Sequence, residues 1–369
     1  MPNNFPVHIS DFDYQLPEEL IAQRPLECRD ASRMLVVDRA HATWRDSHFS
    51  ELPAEIEAGD LLVLNNTRVF PARLIGKREP SGGRVELLLI RQRFVDESFN
   101  RHRGATELRN ESCVWETLAR PARRLEPGDS VTFGDGRLRA RVLEKLAGGE
   151  LLVCFECDGE FEGLLEQFGQ TPLPPYIKRR DESAHDEDRA RYQTIYAARR
   201  GAIAAPTAGL HFTPRVLEKL RARGAHIAEI TLHVGYGTFA PVRADDLSAH
   251  SVAPEQCEVS AEAAATVNDS KKNGRRVIAV GTTTVRALES FADEAGIVHP
   301  GTRESSLTIT PSYRFRVVDA LLTNFHLPRS SLLVLVAAFA GRDLALAAYR
   351  HAVETRYRFY SYGDCMLIT

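Results

Sequence analysis

An α/β domain interrupted by a small inserted antiparallel β-barrel is the fold class this sequence predicts, and three observations predict it. Apolar runs that end in turns of small residues and lead into helix signals recur on both sides of the middle of the chain, the pattern of an α/β sheet. Between about Val69 and Cys157 the pattern changes to short β-like runs separated by Gly-rich turns, without clear amphipathic helices. At 369 residues the chain exceeds the usual size of one compact core, so two domains are expected. The boundaries are set at 1–68 with 163–369 for a discontinuous α/β domain and 69–162 for the barrel.

Each element follows in order. DFDYQLPEELIAQRP carries a helix signal, with Pro17 at its start and Pro25 after its end. SRMLVVDR reads as a strand, and LLVLNNTRVFPARL as another with a polar break at Asn65–Thr67. The barrel strands are ARLIGKR, GRVELLLIRQ, VWETLAR, DSVTFG, LRARVLEKL and ELLVCFE, and Asp96–Ser112 reads as a mobile loop between two of them. LPPYIKRRDESAHDEDRARYQ is a charged, proline-led connection. Thr213 is a suitable N-cap for a helix opening at Pro214 and ending at Gly224. VSAEAAATVNDSKKNG reads as a helix capped by Ser260 and stopped by Gly274, and VIAVGTTTVRALESF as strand, turn and helix. RFRVVDALLTNFHLP is a strand ending in a loop, followed by a buried helix at 330–340, an amphipathic helix DLALAAYRHAVETRY and a tail, RFYSYGDCMLIT.

Apolar residues make up 43% of the chain and charged residues 26%, with a net charge of -3. These are ordinary for a globular protein and give no global pull on nucleic acid, so any RNA contact must come from local patches. Such patches exist at Arg120–Arg124, Lys178–Arg180, Arg199–Arg200, Arg221–Arg223 and Arg275–Arg276, some near Tyr176, Tyr192 and Tyr196. The six cysteines do not make a disulfide scaffold, and the CxxC of Cys154 and Cys157 lies in a strand-like run without a second pair, which favours a structural role over zinc or redox. The start of the chain lacks a signal-peptide pattern, and LLVLVAAFAG is too short to span a bilayer. A reducing cytoplasm is the expected home.

Two segments, AIAAPTAGLHFTP and ITLHVGYGTFAPV, each join an apolar run to a Gly- and Thr-containing turn with a histidine, His211 or His233. Such turns let a ligand approach the backbone closely. In VIAVGTTTVRALES, Gly281 permits a tight exit from a strand, and Thr282, Thr283 and Thr284 offer hydroxyl and N–H groups at the positive end of a helix carrying Arg286. HVGYGTFA matches G-x-G-x-x-A, but Pro241 and a loop-like stretch follow where a dinucleotide site needs a helix. The better reading is a glycine loop shaping a pocket wall, with Tyr236 or Phe239 available to stack on a flat ring. TNFHLPRSS sets His326 beside Asn324, where a histidine suits general acid–base work. Asp364, in the aromatic- and glycine-containing tail, is a further candidate.

These tracts, taken in order with SRMLVVDR, GDLLVLNNTRVFPARL, RPARRL, GQTPLPPYIKR, RYQTIYA and YRFYSYGD, resemble the S-adenosylmethionine:tRNA ribosyltransferase-isomerase family of queuosine biosynthesis. One position departs from the family pattern: Ala253 stands where an H-x-x-H-x-E motif has its second histidine, and Glu255 keeps the acid. The resemblance implies an α/β/α-type domain with a mixed sheet and the inserted barrel. It implies transfer and isomerisation of the ribosyl part of S-adenosylmethionine onto the 7-aminomethyl-7-deazaguanine (preQ1) wobble base of tRNA, giving epoxyqueuosine-tRNA, adenine and methionine. S-adenosylmethionine is then a consumed substrate; no prosthetic group and no metal are expected, and the protein is expected to be a cytoplasmic monomer.

The reaction asks for a base to take a proton beside the sulfonium, an acid for adenine departure and donors for ribose oxygens. His211 or His326 is the expected base, with Asp364 as a second acid/base. Arg286 with Thr282–Thr284 is expected to grip the methionine carboxylate or ribose, and Tyr236 and Phe239 the adenine side. Thr207, Gly209, His233, Gly237, Thr238, Gly281 and Asn324 complete the expected substrate site, and Lys178, Arg179 and Arg180 the tRNA contact. A methyltransferase using the same substrate and a non-catalytic RNA-binding protein are the alternatives.

Overall fold

The structure, a computed structural model, describes residues 7–93, 113–179, 185–239, 245–247 and 251–369. The expected 96–112 loop and Arg180 lie outside the described residues, as do the side chains of Thr238 and Phe239. The chain divides into two compact units: Met1–Val69 with Pro174–Asp181 and Ala190–Thr369, and Phe70–Leu173 with Glu182–Arg189.

In chain order the first unit opens with β1 (Arg33–Asp38), β2 (Thr43–His48), the single turn α1 (Leu52–Glu55), β3 (Leu61–Asn65) and β4 (Thr67–Val69). The second unit contains β5 (Arg73–Arg78), β6 (Arg84–Arg93), β7 (Cys113–Arg120), β8 (Ser130–Phe133), β9 (Leu138–Lys145) and β10 (Leu151–Cys157). These six strands close into a barrel in the order β10-β7-β6-β5-β8-β9, every pairing antiparallel. The reason is visible in β6, where Val85, Leu87 and Leu89 are buried at every second position, the alternation a closed sheet requires. All six runs expected to be strands are strands. Two helices follow, α2 (Phe161–Phe168) and α3 (His185–Arg191). The second lies in the charged, proline-led connection; Asp186, Glu187 and Asp188 in its first turn suit the positive end of a helix.

The first unit resumes with β11 (Arg199–Ala202), α4 (Pro214–Ala222), β12 (His226–Leu232), β13 (Glu255–Val259), α5 (Ala261–Lys272), β14 (Val277–Val280), α6 (Thr282–Phe291), β15 (Gly301–Ser305), β16 (Ala320–Asn324), α7 (Ser331–Ala340), α8 (Arg342–Glu354) and β17 (Cys365–Ile368). The predicted caps are present: Thr213, Ser260 and Ser330 accept from Val216, Ala263 and Leu333 N–H, and Gly224 and Gly274 have φ +84° and +65°.

Nine strands form one mixed sheet in the order β15-β13-β12-β3-β14-β16-β17-β1-β2. Its centre, β12-β3-β14-β16, is parallel. Strand β3 explains why: Leu61 and Val63 enter one core while Leu62 and Leu64 enter the other, so the strand is apolar on both faces as a covered parallel strand must be. Helices α5 to α8 supply Val267, Val285, Val336 and Ala348 to the first core, and α4 supplies Val216 and Leu220 to the second.

One expectation fails. DFDYQLPEELIAQRP forms only short 3-10 turns, Ile9–Phe12 and Glu18–Leu20. Its backbone instead exchanges hydrogen bonds with the distant tail, Phe359 N–H to Leu20 O at 2.8 Å and Ala22 N–H to Phe359 O at 3.2 Å. The tail packs into the fold, with β17 between β16 and β1 in the interior of the sheet.

Candidate active site

The parallel strands end together at Leu232, Asn65, Val280 and Asn324, the edge of an α/β sheet where ligands bind. A cavity of about 410 Å³ lies there, within the range of small-molecule sites. Three chain segments singled out by sequence wall it: Ala204–Ala208, Gly281–Thr283 and Thr323–Pro328, except for buried Phe325. Most of its exposed surface is apolar, with hydroxyl, amide, imidazole and guanidinium groups set into it. A larger groove of about 680 Å³ runs along β12 between Arg199, Arg221, Glu258 and Glu262, but it flanks the side of a strand rather than strand ends, so the smaller cavity carries the chemistry better.

Each polar group is held by the fold. Gly281, at φ +93°, turns the chain out of β14 and starts α6 at the cavity wall with Thr282 and Thr283. Thr284 does not face the cavity; its hydroxyl donates to Val280 O at 2.7 Å and caps the strand exit. Asn65 bridges β3 and β12 through Leu232 N–H and O, at 3.0 and 2.9 Å, behind Thr283. Asn324 is a hub: its Oδ1 accepts from Thr207 at 3.0 Å, while its Nδ2 reaches Tyr360 O, Asp364 O and His211 Nε2 at 3.3, 3.3 and 3.1 Å. His326 lines the cavity, with Nε2 2.9 Å from Thr323 Oγ1. Its main chain is clamped on both sides, N–H to Tyr349 OH at 3.1 Å and carbonyl from Tyr14 OH. Burial pushes the His326 imidazole down to about 3, so it is neutral at pH 7.

The structure brings together Thr207, Gly281, Thr282, Thr283, Asn324 and His326 as cavity wall. Several expected residues stand elsewhere. His211 is buried behind Asn324, with Nδ1 2.7 Å from Ser32 Oγ and Nε2 taken by Asn324. Burial, then the Arg358 and Arg29 charges, push it down to about 3. Both ring nitrogens are engaged, which makes it a neutral brace for the hub. Asp364 accepts from Arg33 N–H at 2.9 Å and Arg358 N–H at 2.8 Å, one on each oxygen. Burial raises its pKa, and its bonds join the 358–364 loop to β1. Arg286 is buried in an ion pair with Glu255 at 2.7 Å, and Glu255 also accepts from Gly235 N–H at 3.0 Å. That pair ties the glycine loop to α6 and leaves Arg286 Nη2 buried without a hydrogen-bond partner.

Gly209 is small because Tyr196 OH would lie 2.1 Å from a Cβ there. His233 stacks beside Gly201 and meets Thr67 Oγ1 at 2.8 Å, and burial lowers its pKa. Tyr236 and Gly237 are half-buried and not among the described cavity residues; Gly237 would place a Cβ 3.0 Å from Ala253. Lys178 is exposed and pairs with Glu18, while Arg179 donates to Gln23 O at 2.8 Å. Among the described residues no group of three or more His, Cys, Asp or Glu side chains could hold a metal ion.

Sequence reasoning missed part of the wall. Tyr176 and Tyr360 meet with ring centroids 3.8 Å apart, and Tyr176 OH bonds Ser361 Oγ at 2.5 Å. Tyr360 and Arg329 both line the cavity and both have left-handed φ, +73° and +55°, a strained conformation for such residues that clusters at ligand sites. The only sequence signal was the aromatic density of PPY and YSYGD.

The fold defines a class, a mixed-sheet α/β protein with a cavity at the carboxyl ends of its parallel strands, and comparison with known proteins specifies it. Residues 9–368 match the family model described as queuosine biosynthesis protein, and the chain belongs to that family. It is 50% identical over 362 residues to the S-adenosylmethionine:tRNA ribosyltransferase-isomerase of Symbiobacterium thermophilum, covering 98% of this chain and 100% of the relative. It is also similar to the crystal structure of S-adenosylmethionine tRNA ribosyltransferase from Thermotoga maritima, with TM-score 0.53 and 35% identity over 98% of this chain and 100% of that one.

Proposed function

We propose that this protein transfers and isomerises the ribosyl moiety of S-adenosylmethionine onto the preQ1 wobble base of tRNA, releasing adenine and methionine and leaving epoxyqueuosine in the RNA. Family membership across residues 9–368 supports the reaction. The observation that carries it in the structure is the 410 Å³ cavity, in which hydroxyls, an amide and one neutral imidazole converge on an apolar chamber. A largely apolar wall limits the water that can reach the reactive intermediates of a sulfonium.

In this reading His326 takes the proton from the carbon beside the sulfonium, because it is the histidine that both faces the chamber and is neutral. The start of α6, with Thr282 and Thr283, steadies the ribose oxygens or the methionine carboxylate. Thr207 and Asn324 orient the substrate from the opposite wall, and the Tyr176–Tyr360 pair offers a flat aromatic face. His211 and Asp364 act one step back, holding Asn324 and the Tyr360–Ser361 loop in place. S-adenosylmethionine is consumed and no resident cofactor takes part. The protein acts as a monomer in the cytoplasm, a setting that free cysteines suit.

Mass spectrometry of preQ1-containing tRNA after incubation with S-adenosylmethionine tests the reading. The wobble nucleoside gains the mass of an epoxycyclopentanediol unit. A gain of one methyl group, with homocysteine-type product, makes the protein a methyltransferase; RNA binding without mass change makes it a binding module.

A further inference from the structure

A second, narrower cleft lies beside the active-site cavity and shares Ser361 with it as a wall residue. Arg29, Arg191, Ser32, His211 and Tyr362 line the cleft. Arg29 is held by main-chain carbonyls alone, Nη1 to Gln193 O at 2.7 Å and Nη2 to Ala190 O at 3.1 Å. Arg191 is likewise held by Leu26 O, while its Nε is buried and has no partner. Arg358, which donates to Arg24 O, leaves its buried Nη1 unpartnered and is close enough to act electrostatically on His211. Asp364, the acid that acts electrostatically on Arg358, has both oxygens on main-chain N–H groups.

Arg29 and Arg191 also repel one another. Among the described residues no carboxylate pairs with either guanidinium, an arrangement that is unfavourable unless an anion completes the site. The cleft is half open and its inner space is about 20 Å³, room for roughly one water-sized atom, which suits one oxygen of a larger anion that stays mostly outside. An oxyanion must therefore reach in from a larger molecule. A non-bridging oxygen of a phosphodiester does so, and the strand that delivers a base to the neighbouring cavity carries phosphates on either side of that base.

We infer that Arg29 and Arg191, backed by Arg358, form a phosphate-binding cleft for the backbone of the RNA substrate next to the nucleotide being modified. This rests on the RNA substrate proposed above. The test uses the full-length protein and a fluorescent anticodon stem-loop carrying the aminomethyl-deazaguanine. Affinity is measured over a salt series for wild type, Arg29→Gln, Arg191→Gln and Arg191→Lys, with S-adenosylmethionine affinity measured separately by calorimetry.

Each Gln variant is expected to weaken RNA binding about fivefold to tenfold near 0.1 M salt and to make the plot of log affinity against log salt shallower by about 0.7. Arg191→Lys keeps the charge and so keeps the slope, which separates lost charge from damaged folding. RNA slopes unchanged in all variants overturn the proposal. So does a loss confined to S-adenosylmethionine affinity, which would give the cleft to that substrate's carboxylate. The measurement needs no turnover: wild-type protein that binds the stem-loop but never modifies it overturns the proposed reaction and leaves the phosphate cleft readable.

Discussion

His211 and His326 carry the same side chain into different work, and the difference lies in what surrounds each ring. His326 faces the cavity, whereas His211 has both nitrogens bonded inside the wall. His326→Ala should lower kcat by about 10²-fold or more with little loss of thermal stability. His211→Ala should instead destabilise the fold by about 1–3 kcal/mol, since Asn324 and Ser32 lose a buried partner. The opposite pattern in turnover and melting data would reverse the assignment. Both imidazoles are pushed from 6.5 to about 3 by burial. Between those values the unfolded chain binds protons that the folded chain refuses, so their contribution to stability is present above pH 6.5 and lost as pH falls toward 3. Melting curves of His211→Asn should show a smaller acid-induced drop than wild type. The sequence marked both histidines, but it could not separate them, because the partners that decide, Ser32 and Asn324, are over a hundred residues away in the chain.

At the scale of elements, the strand-turn-helix of β14, Gly281 and α6 was legible because its apolar run, glycine and threonines are local signals. What was not legible is which hydroxyl faces the cavity. Thr284 is spent on Val280 O, while Thr282 and Thr283 line the site. Thr282→Val is therefore expected to raise KM for S-adenosylmethionine with little change in melting temperature, and Thr284→Val to lower melting temperature with a smaller kinetic effect. Equal kinetic losses in both would contradict this division. The 358–364 loop makes a similar case. Asp364 reads from sequence as an acid or base, yet its two oxygens each take a main-chain N–H. Asp364→Ala should cost about 1–3 kcal/mol and raise KM by loosening Tyr360 and Ser361, and Asp364→Asn, which keeps one acceptor, should recover part of both.

Across the whole molecule, the barrel strands were readable because each carries its own two-residue alternation and its own Gly turn. The N-terminal segment was misread as a helix for the converse reason: its backbone is satisfied by Phe359, at the other end of the chain. Long-range pairing of this kind leaves no periodic trace. Strand β17 belongs to the same class, a tail by sequence position and a central strand by topology. Deleting Cys365–Ile368 should abolish the cooperative thermal transition; a truncated protein that still melts cooperatively near the wild-type temperature would contradict the central placement.

Release of free adenine tests the central claim most directly. Purified protein is mixed with S-adenosylmethionine and either preQ1-containing tRNA or the same tRNA with unmodified guanine, and adenine and methionine are followed by chromatography. Adenine and methionine are expected in equal amounts with the modified tRNA, and neither with the unmodified one. Adenine release independent of the RNA, or S-adenosylhomocysteine in its place, would contradict it.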